Sequence, residues 1–166
     1  RIYVEEPTYF LAINIFKEFG FEVVSIKMEN DGLNLEDLDS KLSSDSSDLK
    51  LLYTIPTFHN PTSITLSDEK RKLLSKLSEK YNVHIIADEV YQMLYFKDTD
   101  KPPSPLCYYS DNVYSISSFS KILAPSLRLG WIQSSNNLLK KLKLCGQLDS
   151  SGGINPFISR IVHNII

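Results

Sequence analysis

Short apolar runs alternate along the chain with longer amphipathic stretches. Ile2-Tyr3-Val4, Phe21 to Met28, Lys50 to Ile55, Val83 to Ala87, Val113 to Ile116 and Leu129 to about Gln133 are rich in β-branched and aromatic residues and read as strands. Val83 to Ala87, interrupted only by His84, has the look of a strand covered on both faces. The stretches between them carry helix signals. Pro7 is read as opening a helix that runs to Phe19, with Gly20 placed to stop it. Ser67 is an N-cap candidate with Asp68 and Glu69 in the first turn, where the helix dipole favours acids. Behind it Leu73, Leu74 and Leu77 are assigned to one face and the lysines to the other. Leu35 to Leu42, Leu138 to Leu148 and Phe157 to Ile166 are read as further helices.

Strands alternating with helices imply βαβ units: an α/β, three-layer fold with a mostly parallel sheet and helices on both faces. No stretch resembles a linker, so residues 1–166 are taken as a single domain. The polar patch from Ser43 to Asp48 is expected to be a surface loop. Ligands of such sheets gather outside the carboxyl ends of the strands. Tyr9, Asn60, Asp88 and the segment Ser118 to Lys121 each follow a strand and so reach that edge. Arg128 precedes its strand; to reach the same edge, the strand at about 129–133 must run antiparallel to its neighbours.

The 166 residues suit one domain, and 42% hydrophobic with 23% charged residues describes a globular chain. A net charge of −2 with interspersed signs argues against a nucleic-acid partner. No apolar run approaches the ~20 residues of a membrane span, and no signal peptide is visible at Arg1. Cys107 and Cys145 are far apart and read as buried small hydrophobes in a reducing compartment, which places the protein in the cytoplasm.

The chemistry concentrates in Ser118-Phe119-Ser120-Lys121 and in Arg128, seven residues later. A lysine among small hydroxyl residues at a strand end is a candidate Schiff-base nucleophile. Arg128, Ser118 and Ser120 offer a planar fork and neutral donors for a phosphate. Asp88, ending an apolar strand, would hold a proton on a pyridine nitrogen. Tyr91 and Asn60 would donate hydrogen bonds to a phenolic oxygen, and Tyr9 would stack on the ring. Each has a plainer explanation: a solvated lysine, an N-capping aspartate, turn serines, a strand-edge ion pair, a half-buried tyrosine. The combination, in this order, suits pyridoxal phosphate. His59, His84 and His163 have no metal-ligand spacing and receive no role; His84 is expected to be a satisfied core histidine. Trp131 is assigned to the core or an interface.

Glu6-Pro7-Thr8-Tyr9, Asn60-Pro61-Thr62, Ala87-Asp88-Glu89-Val90-Tyr91, Ser118-Phe119-Ser120-Lys121 and Arg128-Leu129-Gly130-Trp131 occur in the order and spacing of a known family. The chain resembles the class I/II aminotransferases, the fold-type-I pyridoxal-phosphate enzymes. The resemblance implies Lys121 as the Schiff-base lysine, Asp88 at the ring nitrogen, Asn60 and Tyr91 at the phenolic oxygen, Ser118, Ser120 and Arg128 at the phosphate, and Tyr9 on the ring face. It further implies amino acid and 2-oxo acid substrates and a homodimer with its active site between subunits. Family members are longer, so the chain corresponds to part of the large, cofactor-binding domain, without the N-terminal segment and the C-terminal small domain. Alone it is expected to bind cofactor poorly and to lack transaminase activity. Two other functions share the scaffold: a carbon–sulfur lyase or cyclising synthase, and the effector-sensing domain of a transcription regulator. Ser63 departs from the glycine common at its position, which puts the local backbone in question.

Overall fold

The computed structural model describes residues 1–150, 153 and 155–166, and for Gln147 and Asp149 the backbone only. Its elements are β1 (Ile2–Glu6), α1 (Phe10–Glu18), β2 (Val23–Glu29), β3 (Gly32–Leu33), α2 (Leu35–Ser43), β4 (Leu51–Thr54), α3 (Asp68–Tyr81), β5 (His84–Asp88), β6 (Val113–Ser118), β7 (Gly130–Gln133), α4 (Asn136–Lys143), α5 (Gly146–Asp149) and α6 (Pro156–Ile165). The strands form one sheet in the order β3-β2-β1-β4-β5-β6-β7. β2, β1, β4, β5 and β6 are mutually parallel. β7 runs antiparallel to β6, with Gly130 opposite Ser118, as the position of Arg128 requires. A second antiparallel pair lies at the other edge, where the two-residue β3 folds back on β2 after a tight turn.

Alternation within the strands divides the core between the two faces of the sheet. Tyr3, Leu52, Ile85, Ala87 and Val113 pack with Leu38 and Leu42 of α2 and Leu74 of α3. Ile2, Val4, Tyr53 and Ile55 pack with Ala12 and Phe16 of α1. Helices therefore cover both faces. The chain leaves β1 for β2 on one side and returns across it to β4 on the other. The crevice of this parallel sheet accordingly opens at the carboxyl ends of β1 and β4.

Several local expectations need correction. α1 begins at Phe10, with Tyr9 as its N-cap; Pro7 follows a cis peptide bond in the extended exit from β1. Gly20 does terminate the helix, at φ +77°, where a side chain is disfavoured. On α3 the buried positions are Arg71, Leu74, Ser75 and Ser78, an i, i+3, i+4, i+7 stripe, and Leu73 is exposed. The Leu138 to Leu148 segment divides into α4 and α5 around Leu144 and Cys145. That break leaves Cys145 exposed, while Cys107 is half-buried; both are free thiols. The loop from Ser43 to Asp48 is anchored, because Asp45 is buried and accepts from Tyr3 Oη at 2.6 Å and Ser47 N at 2.8 Å. His84 is half-buried beside Tyr114, and its Nδ1 has no hydrogen-bond partner among the described residues.

Candidate active site

Four parallel strands end at one edge of the sheet, and the residues singled out from the sequence converge there. Tyr9, Asn60, Asp88, Tyr91, Ser118, Ser120, Lys121 and Arg128 all line a single cleft of about 360 Å³, together with Ile55, Val90 and Pro125. That volume suits one small aromatic ligand.

Asp88 is the last residue of β5. Its Oδ2 accepts from Tyr53 Oη at 2.8 Å, whereas Oδ1 is buried with no hydrogen-bond partner among the described residues. Burial pushes the carboxyl above its usual range. The hydrogen bond from Tyr53 and the nearby Val90 N–H oppose that, Glu5 reinforces it, and Lys121 counteracts it. Tyr53, on β4, is held well above the ordinary phenol range by burial and by Asp88, so it stays a donor.

Lys121 is exposed in the turn after β6, with its Nζ 5.9 Å from the centre of the Tyr91 ring. Asn60 Nδ2 lies 3.5 Å from Tyr91 Oη, so the amide and the phenol meet at the same point. Ser118 Oγ accepts from Ser120 N at 3.0 Å and lies 2.8 Å from Ser120 Oγ, so part of its capacity serves the turn. Arg128 adopts φ +48° and places its guanidinium at the cleft, where Nη1 donates to Pro125 O at 3.3 Å. The close approach of β7 to β6 needs Gly130: a Cβ there would lie 2.5 Å from Ser117 O. Trp131 packs on Phe119 with ring centres 4.7 Å apart, bracing the turn that carries Lys121.

Behind the cleft lie residues that the sequence did not single out. Glu5 is buried, accepts from Thr54 Oγ1 at 2.5 Å and Ile55 N at 2.9 Å, and lies 3.0 Å from His59 Nε2. His59 is also buried, with Nδ1 2.8 Å from Thr62 Oγ1, so this histidine fixes the loop that presents Asn60. Arg71 donates from beneath to Leu66 O, Ser104 O, Pro56 O and Thr57 Oγ1 at 2.8–3.0 Å. It joins the Asn60 loop to the segment that follows Tyr91. The contacts of Glu5, and those of Arg71 with Pro56, Thr57 and Ser104, have no local signature, since their partners lie far apart in sequence. Among the described residues no cluster of three or more His, Cys, Asp or Glu side chains forms a metal site. No described helix is long and apolar enough to cross a membrane.

Ser63 occupies the left-handed region at φ +63°, the conformation that glycine adopts without steric cost. Ser63→Gly is expected to stabilise the fold by about 0.5–1 kcal/mol, relief of strain exceeding the added chain entropy. A rise in the urea midpoint at constant slope would register it.

The family model for aminotransferase class I and II matches residues 1–151. Aromatic-amino-acid aminotransferase 1 of Thermococcus litoralis is 35% identical over 149 residues, covering 88% of this chain and 36% of that protein. The uncharacterized HTH-type transcriptional regulator YisV of Bacillus subtilis is 33% identical over 143 residues, covering 85% of this chain and 29% of the regulator. The crystal structure of LysN, the alpha-aminoadipate aminotransferase of Thermus thermophilus complexed with N-(5'-phosphopyridoxyl)-L-leucine, superposes with a TM-score of 0.83 at 25% identity, covering 99% of this chain and 42% of LysN. The chain thus spans well under half the length of these relatives. With the family's sheet, its motifs in order and its cleft assembled, the chain belongs to the class I and II aminotransferases.

Proposed function

We propose that the whole protein transfers an amino group from an amino acid to a 2-oxo acid, with pyridoxal phosphate held in this cleft and the present chain forming part of the large, cofactor-binding domain of a homodimer. The observation that carries the reading is the unpartnered Asp88 Oδ1, buried in the cleft that Lys121 and Arg128 also line. A buried carboxylate oxygen without a donor costs free energy unless a ligand answers it. A protonated pyridine nitrogen is such a donor.

When bound, pyridoxal phosphate supplies an electron sink for the pair left on a substrate carbon. Asp88 keeps the proton on the ring nitrogen, which strengthens that sink. Lys121 would supply the amine that attaches the cofactor and would carry a proton to and from the substrate Cα. Asn60 and Tyr91 donate to the phenolic oxygen. Arg128, Ser118 and Ser120 would hold the phosphate, and Tyr9 would flank the ring. The aromatic and alpha-aminoadipate aminotransferases among the relatives support a donor of one of those classes.

The test is a single turnover of the full-length, cofactor-loaded protein with an amino acid alone. The expected result is a change in cofactor absorbance with release of one equivalent of 2-oxo acid and no ammonia. Ammonia together with pyruvate identifies a lyase instead. The YisV match favours one further reading, a cofactor-sensing regulator. Absence of turnover together with cofactor-dependent DNA binding would establish it.

A further inference from the structure

We infer that Tyr53 is a positioning residue for the cofactor, its hydroxyl clamping Oδ2 of Asp88 so that Oδ1 is left to face the ring nitrogen. The inference rests on the role given above to Asp88 and adds a residue that no sequence motif marks.

The sheet register places the pair. Tyr53 of β4 stands opposite Ile86 of β5, so Asp88, two residues on, emerges on the same face as Tyr53. The phenol reaches Oδ2 at 2.8 Å. Tyr53 is 4% exposed, and its ring meets Phe16 of α1 edge-on, with centres 5.2 Å apart and planes at 65°. This packing leaves the hydroxyl little freedom. With Oδ2 held by the phenol, rotation of the carboxylate is restricted, and the direction of Oδ1 with it.

The clamp also bears on charge. Asp88 is acted on by Tyr53 from β4, Glu5 from β1, the Val90 N–H beyond its own strand, and Lys121 from the turn after β6. His59 adjoins Glu5 on the far side. Burial and Glu5 favour the protonated carboxyl; Tyr53, the Val90 N–H and Lys121 favour the carboxylate. Only the carboxylate can hold a proton on the cofactor. Removal of the phenol hydroxyl therefore raises the pH below which Asp88 takes up a proton and releases its ligand.

The experiment measures the dissociation constant of pyridoxal phosphate across pH, by absorbance titration of the cofactor-free full-length protein. It compares wild type with Tyr53→Phe, Asp88→Asn and the double variant. Tyr53→Phe is expected to weaken binding about tenfold on the acid side and less on the alkaline side, where only the positioning of the carboxylate is lost. On the Asp88→Asn background the same change should have no further effect. An unshifted acid limb, or an equal effect with and without Asp88, would overturn the inference, the latter showing that Tyr53 acts by packing alone. Fluorotyrosine at position 53, a stronger donor of nearly the same shape, keeps the question decidable if phenylalanine prevents folding. It should move the acid limb to lower pH, and no movement or the opposite one overturns the clamp. If Asp88→Asn loses cofactor affinity while Tyr53→Phe shows none of this pattern, the clamp fails and the function stands. If Asp88→Asn binds as wild type does, both fail.

Discussion

Lys121→Ala should abolish covalent attachment of pyridoxal phosphate to the full-length protein and lower its turnover by about four orders of magnitude or more. A positioned acid–base group contributes up to roughly 10⁴-fold on its own, and here the same nitrogen is also the attachment point. The fold should not notice the change. Lys121 is exposed, with its Nζ 5.9 Å from the centre of the Tyr91 ring. A surface substitution of this kind alters stability by no more than about 0.5 kcal/mol. Lys121→Arg should be as inactive as the alanine variant. It preserves the charge that acts on Asp88, but a guanidinium does not lose its proton and offers no nucleophile. Two measurements decide the matter: the mass added to the protein by the cofactor after hydride reduction, and turnover with saturating substrate. A reduced adduct of unchanged mass in Lys121→Ala would place the attachment elsewhere.

What could be read from the sequence follows a physical rule. Features set by local chemistry were legible: Ser67 as an N-cap, Gly20 as a helix stop, strands marked by β-branched residues. The cleft was legible for a topological reason. A parallel sheet delivers the residue after each strand to one edge, so Tyr9, Asn60, Asp88 and Lys121 had to meet if the strands were correctly placed. The antiparallel course of β7 followed from requiring Arg128 to join them. Contacts that join distant segments beneath that edge were not legible. Tyr53 has no motif and acquires its role from register with β5. His59 stands beside Asn60 in sequence, yet its meaning lies in Glu5, brought against it from β1. The helical pattern of α3 misled for a related reason. Leu73, expected on the buried face, yields that place to Arg71 in an exchange possible only because carbonyls that the fold supplies satisfy the guanidinium.

That exchange makes Arg71 the most consequential residue for stability. It is fully buried, and its guanidinium is shared among Leu66 O, Ser104 O, Pro56 O and Thr57 Oγ1, with Glu89 Oε1 3.6 Å away. Thr57 in turn donates to Gln92 Oε1 at 2.7 Å, and Gln92 Nε2 donates to Pro103 O at 2.7 Å. One side chain thereby ties the loop bearing Asn60 to the segment on either side of Tyr91. Burial lowers the pKa of Arg71 and raises that of Glu89, so each is pressed toward its neutral form and their attraction offsets this only in part. The ion pair is therefore not itself the main source of stability. What stabilises is the satisfaction of buried carbonyls: Leu66 O and Ser104 O, and Pro56 O, which also accepts from Leu66 N at 2.8 Å. Arg71→Ala takes the guanidinium donors away from Leu66 O and Ser104 O and leaves Glu89 buried without its counter-charge, which should cost about 3–5 kcal/mol. Arg71→Lys should recover little, since one ammonium cannot span acceptors that a planar fork reaches from two sides. Adding Glu89→Gln to Arg71→Ala should restore part of the loss by removing the uncompensated charge, and the remainder measures the carbonyls. Urea unfolding of the full-length protein gives all four values. If Arg71→Ala lies within about 1 kcal/mol of wild type, the spread typical of ordinary substitutions, the loops are held by something other than this arginine. Cofactor affinity should fall in step with stability across the series, because the two loops that Arg71 joins are those that carry Asn60 and Tyr91 to the cleft.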